Sequence, residues 1–78
     1  AADAPVRVVV VRLDGREGWI DRPIRTLDLP DDLLIVTVIR ADDLIPPKGS
    51  TVLARGDRLT MIGSEESVAV LRRQFGLG

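Results

Sequence analysis

The chain has no cysteine, no histidine and no tyrosine, and only one tryptophan and one phenylalanine among its 78 residues. Without cysteine there is no disulfide framework and no thiol chemistry. Without either cysteine or histidine there is no zinc site of the usual kind. A Ser-His or Cys-His nucleophile cannot be assembled. Two aromatic residues make no stacking platform for bases, and 11 basic against 12 acidic residues give a net charge of −1. Both facts argue against a nucleic-acid partner. No run of 18 apolar residues occurs, so no segment reads as a membrane span, and no basic, apolar secretion leader is recognisable. The opening Ala-Ala-Asp-Ala-Pro, without an initiating Met, reads as the end of a linker in a longer chain.

What is present is a 45% apolar chain in which Val, Ile and Leu predominate. That composition suits one globular domain near the lower size limit for folding alone. A chain of this length has only ~4–12 kcal/mol of stability to lose. It must come from packing, with a partner subunit as a further source.

"VRVVVVRL" (6–13) is apolar on both alternating faces, the pattern of a strand covered on two sides. Residues 14–18 form a loop. Asp21 is a plausible N-cap and Pro23 suits a first turn; with Ile24 and Leu27 on one face they predict a helix of about two turns, stopped by Pro30. "LLIVTVIR" (33–40) is a second, central strand, and 44–45 a short third one that Pro46-Pro47 terminates. Residues 58–63 alternate as a fourth strand. Ser64-Glu65-Glu66 starts a helix whose Val68, Leu71 and Phe75 share a face, with Arg72 and Arg73 near its end and Gly76 stopping it. The order β-α-β-β-β-α predicts an α+β domain over 6–75, with a four-stranded, mainly antiparallel sheet and two helices. Residues 1–5 are read as linker and 76–78 as tail.

Catalytic candidates are poor. Ser50, Ser64 and Ser67 fall in loop or cap positions, and the pairs Asp31-Asp32, Asp42-Asp43 and Glu65-Glu66 read as turn and cap chemistry. Gly63-Ser64 is too short for a phosphate loop and is followed by acids. No enzyme, and no metal site, is expected. Arg55-Gly56-Asp57 contains an adhesion tripeptide, but it reads more simply as a turn before a strand, with Gly56 at positive φ and Asp57 bonding nearby amides. Trp19 is open between core lid, dimer contact and ligand stack, with packing first and an interface next. Arg40 reads first as a strand-end cation and second as an anion ligand.

Taken together, residues 20–63 resemble a known family. "IDRPIRTLDLP" is similar to the Val-Gly-x-x-Leu-x-x-Leu-x-Leu segment of the TrkA-C domain, the C-terminal half of RCK regulators of potassium conductance. Ile20, Ile24, Leu27 and Leu29 fill its apolar positions. "IVTVIRADDLIPPKGSTVLARGDRLTMIG" resembles the family's strand ending in Ile-x-Arg, its hairpin, its proline and its Leu-x-x-Gly-Asp-x-Leu-x-x-x-Gly turn, through Leu53, Gly56, Asp57, Leu59 and Gly63. The closing helix matches as well. One departure is Asp21, where the family has glycine: as an N-cap it keeps the fold, but it sets a negative charge against any close anion.

The resemblance implies regulation. Such domains are appended to potassium uptake regulators, potassium channels, cation/proton antiporters, chloride channels and other carriers. They lie on the cytoplasmic side, dimerise, and in some members bind a small ligand such as cyclic di-AMP between protomers. By this likeness Ile39, Arg40 and Pro47 are expected to line a ligand site. Trp19, Ile24 and Leu27 are expected at a homodimer contact, near Ile39 and Arg40. The alternative is a dimerisation module without a ligand.

Overall fold

The computed structural model describes residues 5–77. Most of the expected linker, and the last residue of the expected tail, lie outside them. Four strands, β1 (Val6–Arg12), β2 (Leu34–Arg40), β3 (Asp43–Ile45) and β4 (Arg58–Ser64), form one sheet in the order β1-β4-β2-β3. Every pairing is antiparallel. Helix α1 (Glu65–Gln74) follows β4 directly and packs on β1 and β4. The expected α+β class and four-stranded sheet are therefore observed.

Side-chain alternation assigns the two faces of the sheet. Val9 and Val11 of β1, Val38 of β2, and Leu59 and Met61 of β4 point to the helix side and are buried there with Leu13, Trp19, Leu33, Leu53, Val68 and Leu71. In β2 a register shift makes Val36 an extra residue between the pairs Ile35↔Met61 and Thr37↔Thr60. The bulge restores phase, so Val38 faces the core and is fully buried. Without that inserted residue, Leu34 and Val38 would share a face, and one of them would be misplaced.

Helix α1 is closed at both ends. The Ser67 amide donates to Ser64 Oγ at 3.2 Å, and Glu65 and Glu66 sit in the first turn. At the other end Leu77 N–H reaches Arg72 C=O at 2.7 Å and Gly76 N–H reaches Arg73 C=O at 3.1 Å, with Gly76 at φ +69°. These two hydrogen bonds form a Schellman closure, which requires a residue tolerant of left-handed φ.

The expected first helix is corrected. Only Ile24–Thr26 are helical, as a single 3₁₀ turn, and its N-cap is Pro23, which has no side-chain bond to offer. Local propensity is overridden by pairing: the amides of Asp21, Ile24 and Arg25 donate to the carbonyls of Leu53, Thr51 and Gly49 at 2.8, 2.9 and 3.0 Å. An amide bonded across the chain cannot extend a helix. Asp21 is not an N-cap either; it takes a left-handed conformation, φ +66°. Glycine reaches that region without a Cβ penalty, which gives the family's glycine a physical reason.

Within the single chain β1 is covered on one face only. Val6, Val8 and Val10 are 68%, 63% and 54% exposed on the face away from α1. β1 is also an edge strand, with β4 as its single neighbour.

Candidate functional site

The sequence candidates gather around the end of β2 and the turn before β4. Ala54–Asp57 form that turn: Asp57 N–H donates to Ala54 C=O at 3.1 Å, and Gly56 supplies φ +85° at its third position. Two further backbone bonds tie the turn to the end of β1, Gly56 N–H to Leu13 C=O at 2.8 Å and Leu13 N–H to Asp57 C=O at 2.9 Å.

Asp57 is completely buried. Its Oδ1 accepts from Arg40 Nε and its Oδ2 from Arg40 Nη2, both at 2.9 Å, while Oδ2 also accepts from the Ala54 amide at 2.9 Å. Arg40 Nη2 additionally reaches the Val52 carbonyl at 2.9 Å. This is the two-pronged geometry in which guanidinium and carboxylate match best. Burial pushes the Asp57 carboxyl up, but the Arg40 hydrogen bonds, the Ala54 amide and the Arg40 charge together hold it below its ordinary value. The pair fastens the last residue of β2 to the turn that precedes β4. With its carboxylate wholly enclosed, the Arg55-Gly56-Asp57 tripeptide cannot present an acid to an adhesion receptor.

Arg40 retains something to offer. Its side chain is 41% exposed, and Nη1 makes no hydrogen bond among the described residues. Ile39 points to the opposite side of the sheet, beside Arg58 and Leu44. There it lines a polar pocket of about 220 Å³ with Arg12, Ala41, Asp42, Gly56 and Arg58. Pro47 is exposed in the loop after β3. Within one chain, then, Ile39 and Arg40 face different ways, and neither Arg40 nor Pro47 walls the pocket that Ile39 lines.

The three interface candidates are engaged in the fold itself. Trp19 is 2% exposed and meets Phe75 edge-on, with ring centroids 5.1 Å apart. Its indole is core, not surface, which corrects its assignment as a dimer contact. Ile24 and Leu27 are partly buried against the same core and keep an exposed margin.

The outer face of the sheet is the apolar area that two strands apolar on both faces and too little helical cover leave unburied in one protomer. Val6, Val8, Val10, Leu34, Val36 and Leu44 are all 39% exposed or more there. At its Val6 end they border a mainly apolar pocket of about 260 Å³, lined by Pro5, Val6, Asp32, Leu34, Ile62, Gly63 and Ser64. The signal was in the sequence, since strands apolar on both faces ask for two covers, but a single chain supplies only one. Among the described residues no group of three His, Cys, Asp or Glu could hold a metal ion, and no helix is long and apolar enough to cross a membrane.

Comparison with known proteins bears on these surfaces. The TrkA-C domain family model matches residues 6–76. The K(+)/H(+) antiporter NhaP2 of Shewanella baltica is 40% identical over 68 residues, 87% of this chain and 12% of that protein. The Trk system potassium uptake protein TrkA of Mycobacterium tuberculosis is 32% identical over 66 residues, 85% of this chain and 30% of that protein. The chain thus spans between about a tenth and a third of the curated relatives it matches. Among solved structures, an RCK domain determined "with cda" superposes with a TM-score of 0.75 at 27% identity, covering 86% of this chain and 94% of that one. The RCK C domain of the potassium transport protein KtrA, in complex with cyclic diadenosine monophosphate, gives 0.73 at 21% identity, over 92% and 86% of the two chains. The second likeness establishes the fold alone.

Proposed function

This chain belongs to the TrkA-C domain family, and from that premise we propose that it is a regulatory, dimerising and ligand-sensing domain of a potassium or cation transport system. In this reading it works on the cytoplasmic side of the membrane, attached to or partnered with a membrane-embedded transport domain, and performs no catalysis. The observation that carries the reading is the match across residues 6–76, nearly the whole described chain. Relatives named as a K(+)/H(+) antiporter and a potassium uptake protein support the transport context. The RCK domain determined "with cda", at 27% identity, supports a small bound ligand, for which we take a cyclic dinucleotide as the class.

In mechanism, a ligand seated between two protomers contacts both, and so favours the arrangement of the pair in which those contacts are best. It shifts the equilibrium only by its difference in affinity for the two arrangements. Arg40, held by Asp57, offers Nη1 to an anionic group without a search through side-chain rotamers. Ile39, on the other side of the sheet, and Pro47, exposed in the loop after β3, reach the same ligand only if it spans more than one surface of the pair.

A second reading is a dimerisation module with no ligand. The observation in its favour is that Ile39, Arg40 and Pro47 do not line one pocket within a single chain. A thermal-shift titration separates the two, using cyclic di-AMP, other cyclic dinucleotides, mononucleotides and monovalent cations. Binding at a hundredfold excess over Kd adds about 2.7 kcal/mol. A saturable rise in melting temperature with one cyclic dinucleotide is expected, and no response to any of them leaves the structural module.

A further inference from the structure

We propose that the free edge of β1 is a docking strand for an extended, acidic segment of another protein, which joins the four-stranded sheet as one more strand. The partner is recognised by its backbone and its charge, and needs no fold of its own. This goes beyond the regulatory reading above and depends neither on a dimer nor on a cyclic dinucleotide.

Two observations carry it. The first is the edge itself. Leu13 N–H donates to Asp57 C=O and Leu13 C=O accepts from Gly56 N–H, so the backbone of Leu13 is turned towards the β4 side. Successive residues of a strand turn their backbone groups to opposite sides, and the β1–β4 register runs without a shift from Arg12 to Val6. Val11, Val9 and Arg7 therefore bond to β4, whereas Arg12, Val10, Val8 and Val6 turn N–H and C=O outward. Among the described residues no backbone bond outside the strand pairings reaches these four. Open edges are usually protected by shortness, a lysine, a proline or a bulge. The opposite edge, β3, is three residues long and is followed by Pro46-Pro47. β1 has seven residues with no proline, lysine or glycine, and its register is unbroken.

The second is what borders the edge. Between β1 and α1 an open groove of about 330 Å³ is lined by Arg7, Val8, Glu65, Val68, Ala69 and Arg72. Arg7 stands 3.6 Å from Glu65, both exposed, while Arg72 enters no ion pair among the described residues. At the far end of the strand Arg12 stands opposite Arg58 in the register, and neither is paired there. Like charges so placed are unfavourable in the single chain. Asp42 borders these two, and Asp32, the carboxylate nearest Val6, is taken by Ser67. The groove and the far end thus set Arg7, Arg72, Arg12 and Arg58 against Glu65 and Asp42, a basic border on a chain whose net charge is −1. A strand laid along β1 sends its side chains alternately to the two faces. On the outer face they meet Val6, Val8 and Val10, and on the helix side Arg7 and Arg72. The sequence that fits alternates apolar with acidic residues. Backbone pairing supplies its affinity and the alternation its selection.

Fluorescence anisotropy at low ionic strength tests this with a labelled, capped peptide of about eight alternating valine and glutamate residues, long enough to span β1. The controls are an alternating valine–lysine peptide and the valine–glutamate peptide methylated on its backbone nitrogens. The protein variants are Val8→Pro, Val10→Pro and Arg72→Glu. Each proline removes an outward N–H and no ladder bond, so circular dichroism should find the sheet intact. Saturable binding of the acidic peptide is expected, lost on methylation and weakened about fivefold or more by each proline. Arg72→Glu should weaken it as well, by a factor that shrinks as salt rises. Amide hydrogen exchange reads the same event without any variant. Val6, Val8, Val10 and Arg12 should exchange fast in the free protein and slowly with peptide bound, while Arg7, Val9 and Val11 stay slow throughout. Equal binding of the lysine and glutamate peptides overturns the acidic partner. Absence of binding, or binding that survives methylation and both prolines, overturns the edge as a docking strand. Slow exchange of the four outward amides in the free protein, growing with its concentration, shows a second copy holding the edge and overturns the proposal too.

Discussion

At the scale of single residues, the Arg40–Asp57 pair carries the most consequence. The carboxylate is wholly enclosed, and three donors satisfy it. Removing it orphans the Ala54 amide and frees a guanidinium that, at 41% exposure, still reaches water. Asp57→Ala should therefore cost about 2–3 kcal/mol, below the largest penalties for breaking enclosed ion pairs; a urea melt measures it. The pH dependence has a definite sign. Since the folded Asp57 titrates below its ordinary 3.8, its stabilisation is complete above about pH 4 and disappears as pH falls through the lowered value. Thermal melts taken from pH 7 downward should show wild type losing ground below pH 4 and the Ala variant losing less. Gly56 differs in kind. An added Cβ would meet nothing within 4 Å, yet φ is +85°. Gly56→Ala should thus cost about 1 kcal/mol through backbone strain alone, and a melting temperature equal to wild type would refute that origin.

At the scale of elements, legibility followed the locality of the signal. The start of α1 could be read because Ser64, Glu65 and Glu66 act within one turn, and its end because Gly76 does. The four strands were legible as β-branched runs. The first helix was not, because Pro23, Ile24 and Leu27 carry a helical pattern while backbone bonds to residues 49–53 hold the segment extended. No local signal reports a partner some thirty residues away. The bulge at Val36 was hidden in a run apolar throughout. Of the candidate site, the Gly56 turn could be read, whereas the Arg40–Asp57 bond joins residues 17 apart and was not anticipated. Two elements yield direct tests. A Cβ on Gly63 would stand 2.9 Å from Leu33 Cδ1 and 3.3 Å from the Asp32 carbonyl, so Gly63→Ala should destabilise by about 1–3 kcal/mol through overpacking where β4 passes into α1. Asp21→Gly relieves left-handed strain before the 3₁₀ turn and should raise the melting temperature; a fall would mean that the carboxylate has a role of its own.

For the whole molecule, the question is what a sheet with one helix does with its second face. Here α1, Trp19 and the 21–29 segment cover the centre of one side, so that Leu59, Met61 and Val38 are shut off from water. The other side keeps Val6, Val8 and Val10 more than half exposed. A chain of 78 residues buries a smaller share of its surface than a larger one and has a thin margin of stability. Covering the second face with a copy of itself removes apolar surface from water in both protomers at once, and so couples folding to association. That coupling has a thermal signature that single-chain folding lacks. A hundredfold rise in protein concentration is worth about 2.7 kcal/mol per dimer, half of it per protomer, when unfolding also dissociates the pair. At roughly 4–8 °C per kcal/mol for a domain of this size, the melting temperature should climb by about 5–10 °C between about 2 and 200 µM. Scanning calorimetry over that range reads it directly. The exposed-face variant Val8→Lys should lose the slope and melt below the wild type's lowest-concentration value, if this exposed side chain lies in the contact between copies. A wild-type melting temperature independent of concentration would mean that each chain is stable alone, with its outer face left for some other part of a larger protein to cover.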